Sequence, residues 1–118
     1  MYATLLRYMC LAFLFSLGMA GCSRHPQVTV RNNSGVTITN VVISGSGFSE
    51  KLSDIVPGGS DRAAVRPTAD SGLRIAFDAN GTRHSPPEDG YLEASPHYRV
   101  TATVAADFSV KVESSIEP

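Results

Sequence analysis

The sequence predicts an all-β domain, a small antiparallel β-sandwich that follows an N-terminal segment lying outside the fold. Three observations carry this expectation. Apolar and polar residues alternate with period two along most of the chain after Pro26. Clusters of Gly, Pro, Asn and Ser repeatedly interrupt that alternation, and no long helical spacing appears after the first twenty residues. Roughly seven to nine short strands result, and a single sheet of them would leave one apolar face in water. Two packed layers solve that problem, with a small closed β-barrel as the alternative architecture.

The elements follow in order. Val28 and Val30 alternate with Thr29 and Arg31, and Asn32-Asn33-Ser34-Gly35 then offers residues that tolerate positive φ. This predicts a first hairpin whose second strand is Val36 to Thr39. Val36 and Ile38 share one face whereas Val41 and Ile43 fall on the other, so a β-bulge at Asn40 is expected to absorb the extra residue. After the Ser44-Gly45-Ser46-Gly47 break, Phe48, Leu52 and Ile55 are expected in the core, and Pro57-Gly58-Gly59 turns the chain. Asp61 to Arg66 reads as a short strand ended by Pro67, which cannot donate to a ladder.

Leu73, Ile75 and Phe77 give the clearest strand, followed by Asn80-Gly81 as a type I′ turn and Thr82 to Ser85 as its return. Pro86-Pro87-Glu88-Asp89-Gly90 is a stiff loop. The final pair sets Tyr98, Val100, Ala102 and Val104 against Phe108, Val110 and Val112, with polar residues facing out and a frayed tail from Ser114. Gln27 to Arg31 and Asp61 to Arg66 are expected to be edge strands open to a partner. Asp89-Gly90-Tyr91 loosely resembles the tyrosine corner of immunoglobulin-like domains, which makes an immunoglobulin-like sandwich the first choice among two-layer folds.

Met1 to Gly21 is expected to be an address rather than part of the fold. Arg7 precedes an apolar run of about 13 residues ending on Met19-Ala20, long enough for a secretory signal-peptide helix and too short to span a bilayer, which takes about 20. Met19-Ala20-Gly21-Cys22-Ser23 resembles the lipobox of bacterial lipoprotein precursors, with Met19 where that family prefers Leu. The resemblance implies that residues 1–21 are removed and that Cys22 becomes the lipidated first residue. Residues 22–26 would then be a linker, 27–115 the sandwich and 116–118 a tail. It also implies anchoring in the cell envelope and, from Ser23 after the cysteine, sorting to the outer membrane. Cys10 would leave with the signal, so the mature domain would hold no thiol and fold without disulfides. An ordinary signal cleaved after Ala20, leaving a bare thiol at Cys22, is the alternative.

Charge and motifs narrow the function classes. The formal net charge is −1 and the sequence pI about 6.3, which removes the electrostatic case for nucleic acid. No nucleophile elbow, Cys–His pairing or His-Glu-x-x-His occurs, so the expectation is a non-enzymatic protein without a cofactor. Gly45-Ser46-Gly47 and Gly58-Gly59-Ser60 read as turns, since a phosphate-binding loop needs a Lys and a following helix. Arg62, Arg66, Arg74 and Arg83, interleaved with Asp61, Asp70 and Asp78, read as mixed surface charge. His84, Glu88, Asp89, Glu93 and His97 supply imidazole and carboxylate around a rigid proline pair, so His84 and His97 are candidate metal ligands. The leading expectation is a lipid-anchored module that binds an envelope protein or cell-wall component. A metal-binding or metal-delivery lipoprotein is the alternative.

Overall fold

A computed structural model describes residues 25–116; the signal segment and Cys22 lie outside the described residues. Nine strands are formed among the described residues: β1 (Gln27–Asn32), β2 (Thr39–Gly45), β3 (Phe48–Lys51), β4 (Ser60–Ala64), β5 (Ser71–Ala79), β6 (Thr82–His84), β7 (Asp89–Leu92), β8 (Tyr98–Val104) and β9 (Val110–Ile116). They form two sheets that pack face to face, one ordered β4-β1-β8-β9 and the other β3-β2-β5-β6, with β7 also pairing with β5. The two-layer sandwich expected from the alternation is therefore the fold, and no barrel closes. Every pairing is antiparallel except β1 with β8, which run parallel.

The inner faces are the predicted apolar positions. Val28 and Val30 of β1 and Tyr98, Val100, Ala102 and Val104 of β8 meet Val41 and Ile43 of β2 and Leu73, Ile75, Phe77 and Ala79 of β5. Ile38, Leu52, Ile55, Val65 and Leu92 seal the margins. Each large side chain removed from water contributes about 1.5–3 kcal/mol, so this core is the main term holding the sheets together. Phe48, Val110 and Val112 pack against it while remaining partly exposed.

Local backbone chemistry sets the turns. Asn80 (φ 51°) and Gly81 (φ 75°) both take the left-handed region, as a type I′ hairpin between β5 and β6 requires. Asn40 is also left-handed (φ 47°), and the β2–β5 register shifts between Thr39 and Val42. That bulge lets Ile38 and Val41 both point inward although an odd number of residues separates their phases.

Four expectations need correction. The first hairpin does not form: β1 pairs with β4 and β8, and the segment after it crosses to the opposite sheet, where Ile38 bridges to Ile55. The cause is Asn32, whose side chain turns inward instead of lining a surface turn. Its Nδ2 donates to the carbonyls of Val36 (2.7 Å) and Ile55 (2.8 Å), while its Oδ1 accepts from the Ser34 amide (3.0 Å) and hydroxyl (2.6 Å). For the same reason Gln27 to Arg31 is not an edge, since β1 has a neighbour on both sides. Tyr91 is not a tyrosine corner, because its hydroxyl donates to the Asp70 carboxylate (2.8 Å), distant in sequence, and not to nearby backbone. Finally, Ser114 to Ile116 is no frayed tail: these residues pair with β8, and the Ser114 hydroxyl donates to the Tyr91 carbonyl (2.6 Å).

Asn32 is fully buried, so its removal strands two carbonyls and the Ser34 donors. Asn32→Ala is expected to cost about 3 kcal/mol in urea unfolding, while Thr37→Ala, exposed on the same corner, costs less than about 1 kcal/mol. Equal costs would mean that the corner is held by packing alone.

Candidate functional site

One concavity lies at the end of the sandwich where the β2–β3 hairpin meets the start of β5. It is a cleft of about 370 Å³ lined by Ser44, Gly45, Ser46, Ser71, Arg74 and Glu88. Ser44 and Arg74 are direct cross-strand partners, and both alternate with core residues, so they share the outer face of the sheet. Glu88 immediately precedes β7, whose Asp89 pairs with Leu73 of β5. Three strands thus bring together residues far apart in sequence.

The walls are fixed by hydrogen bonds and by two glycines. The Ser46 amide donates to Ser71 Oγ (3.1 Å), which in turn donates to the Gly72 carbonyl (2.9 Å). The Thr68 amide donates to the Ser46 carbonyl (2.9 Å), tying the hairpin tip to the segment before β5. A Cβ on Gly45 would lie 2.6 Å from the Phe48 ring, and one on Gly72 would lie 2.6 Å from Glu88 Cγ. The second contact shows that the Glu88 side chain lies across Gly72.

The opposite charges in the cleft are not paired with each other. Among the described residues, the side chains of Arg74, Glu88 and Ser44 make no hydrogen bond or ion pair. The other cation–carboxylate pattern on this sheet behaves differently. Arg83 reaches Asp78 (3.1 Å) and the Asn40 carbonyl (2.7 Å), and Asn40 Nδ2 donates to Asp78 (2.8 Å). The Asn40 bond, then the Arg83 bond, hold the Asp78 carboxyl below its ordinary range. Asp70 is likewise engaged, by Tyr91 and the Ala94 amide, and its bond to the Tyr91 phenol pushes that group up to about 12. Arg83 and Asp78 are thus paired surface charges, as expected, while Arg74 is an exposed surface charge without such a partner among the described residues.

The structure does not bring the two candidate metal ligands together. His84 packs in a three-ring cluster, 5.2 Å from Phe77 and 4.6 Å from Phe108 by ring centroids, with those two rings 6.3 Å apart, beside the β8–β9 turn. His97 immediately precedes Tyr98 at the opposite end of β8, a strand length of about 20 Å away. Among the described residues no group of three or more His, Cys, Asp or Glu side chains could hold a metal ion. Phe108 takes a left-handed conformation (φ 65°) that is unusual for an aromatic residue, and it places the ring on His84.

The expected edge strand at Asp61 exists but is blunted. The Val65 amide donates to Pro26 and the Asn32 amide to Gly59, so the alternate residues Ser60, Arg62 and Ala64 turn their backbone groups away from β1. Asp61 takes the central outward donor itself, accepting from the Arg62 amide (2.9 Å), and also binds the Ser53 amide (2.9 Å) and hydroxyl (2.8 Å). A partner strand would have to displace the Asp61 carboxylate.

Comparison with known proteins adds fold information alone. No family model matches the chain, and no curated protein matches it. Among solved structures, the NMR structure of a protein from Eubacterium rectale is similar, with a TM-score of 0.57 at 10% identity, covering 79% of this chain and 90% of that one. At that identity the likeness speaks for a shared sandwich architecture.

The Ser53 bonds, backbone first, hold the Asp61 carboxyl below its ordinary value of 3.8. A depressed carboxyl favours the folded state above the unfolded value, and that contribution is lost as pH falls through the lower folded value. Urea midpoints measured downward from about pH 5 are therefore expected to fall below about pH 4, and Asp61→Asn to flatten part of that fall. Parallel curves for the two proteins would show that the edge contact adds nothing.

Proposed function

We propose that this chain is a lipid-anchored cell-envelope protein, attached through Cys22, whose sandwich is a non-enzymatic binding module for an envelope protein or cell-wall component. The observation that carries the reading is the distance from the lipobox-like cysteine to the fold. Pro26 is already buried and β1 starts at Gln27, so three residues, Ser23, Arg24 and His25, separate Cys22 from the domain. At about 3.5 Å per extended residue, such a tether holds the sandwich within about 15 Å of the anchoring sulfur. Two or more acyl chains on Cys22 would make the attachment stable, where one is marginal.

Two of the cleft's hydroxyls are not activated as nucleophiles. Ser46 Oγ lies beside Thr68 Oγ1 (3.4 Å) and Ser71 Oγ bonds to backbone, so these hydroxyls have polar partners that cannot act as a general base near neutral pH. The outer membrane is the destination that Ser23 suggests within this reading.

Intact mass spectrometry of the protein isolated from host membranes tests the anchor. The expected mass is that of residues 22–118 plus acyl chains, with detergent-phase partitioning. Cys22→Ala is expected to lose the acyl mass and the partitioning together. A bare polypeptide beginning at Gly21 would overturn the proposal.

A further inference from the structure

We infer that the cleft between the β2–β3 hairpin and β5 binds a zwitterionic di- or tripeptide, with Arg74 taking the carboxylate and Glu88 the ammonium group. The inference deepens the binding-module reading by naming a ligand class for this site. Its first ground is charge. Arg74 and Glu88 line one cleft without pairing, so a ligand that entered it would meet a permanent cation and a carboxylate together. A simple anion such as phosphate would be attracted by Arg74 and repelled by Glu88, and a simple cation would meet the reverse. A ligand bearing both signs satisfies both groups.

The second ground is geometry. Glu88 precedes β7, one residue beyond the Asp89–Leu73 pair and so beside Arg74, yet its side chain runs across Gly72, in space that any Cβ at that position would fill. Gly72 therefore leaves room for the side chain of Glu88, which lines the cleft. The guanidinium offers a planar fork of N–H donors suited to a bidentate carboxylate contact. Ser44 stands across from Arg74 with no side-chain partner of its own among the described residues, so its hydroxyl is available to a peptide amide between the charged ends.

The third ground is size. The cleft, about 370 Å³ and open to solvent, is far larger than one inorganic ion fills and leaves room for two or three small residues.

Amide chemical-shift titration tests this on the purified mature protein, in detergent if the mass shows acylation and in buffer if it does not. The probes are alanyl-alanine, its N-acetyl form, its C-terminal amide, the doubly blocked form and inorganic phosphate. The expected result is saturable shifts at Ser44, Ser46, Ser71 and Gly72, with a Kd on the order of 1 mM, as suits two exposed charge contacts. Blocking either end is expected to weaken binding about tenfold. Arg74→Gln should abolish the preference for a free carboxylate and Glu88→Gln the preference for a free amine, with amides remote from the cleft unchanged. Absence of saturation up to about 50 mM, equal binding of the doubly blocked peptide, or shifts with phosphate alone would overturn the inference. None of those results touches the anchor at Cys22, which the mass decides separately.

Discussion

The fold depends on a buried amide. Asn32 ends β1, and from that position its side chain holds Val36 before β2 and Ile55 on the segment leading to β4, while the Asn32 amide itself donates to Gly59. One residue thus joins the last turn of one sheet to the first residues of the other. The alternative local structure, a surface turn closing a hairpin, would leave those carbonyls buried without donors or force them out to water. Because the domain's apolar faces can be covered only when the chain crosses between layers here, the packing of Val30, Ile38 and Ile55 follows from this node.

The sandwich treats its two open sides differently. On one, β7 lies against β9, with Gly90 pressed on Val112 and the Ser114 hydroxyl bonded to the Tyr91 carbonyl, so β9 is shielded along part of its length. On the other, β3 and β4 are true edges. β4 is protected by Asp61, which occupies its own strand's outward donor and ties it to Ser53, and β3 spans four residues and ends on exposed Glu50 and Lys51. Short length, charge and an internal carboxylate cap are recurrent means of discouraging edge-to-edge association.

One residue that looks functional in the sequence is placed among aromatic rings. His84, a ligand candidate by type, stacks on Phe77 and packs against Phe108 near the β8–β9 turn. The strained φ of Phe108 accompanies that contact, and its cost, of order 1–3 kcal/mol, must be offset by the ring's burial against Phe77 and His84. By contrast Arg74 and Glu88, ordinary surface charges in the sequence, line one cleft without pairing with each other.

The sequence by itself determined the class of fold, the inward residues of β5 and β8, the bulge at Asn40 and the type I′ turn at Asn80-Gly81. All of these rest on interactions within a few residues: alternation of side chains along a strand, a change of phase, or tolerance of positive φ. It also supplied the expectation of a lipid anchor at Cys22, which lies outside the described residues. Tertiary structure alone decided which strands are neighbours. The parallel β1–β8 pair, the inward turn of Asn32 and the union of Ser44, Arg74 and Glu88 each join segments whose local patterns carry no record of register with one another. A strand's alternation says which face is buried; its partner is chosen by the global requirement that every apolar face and every buried polar group be satisfied at once.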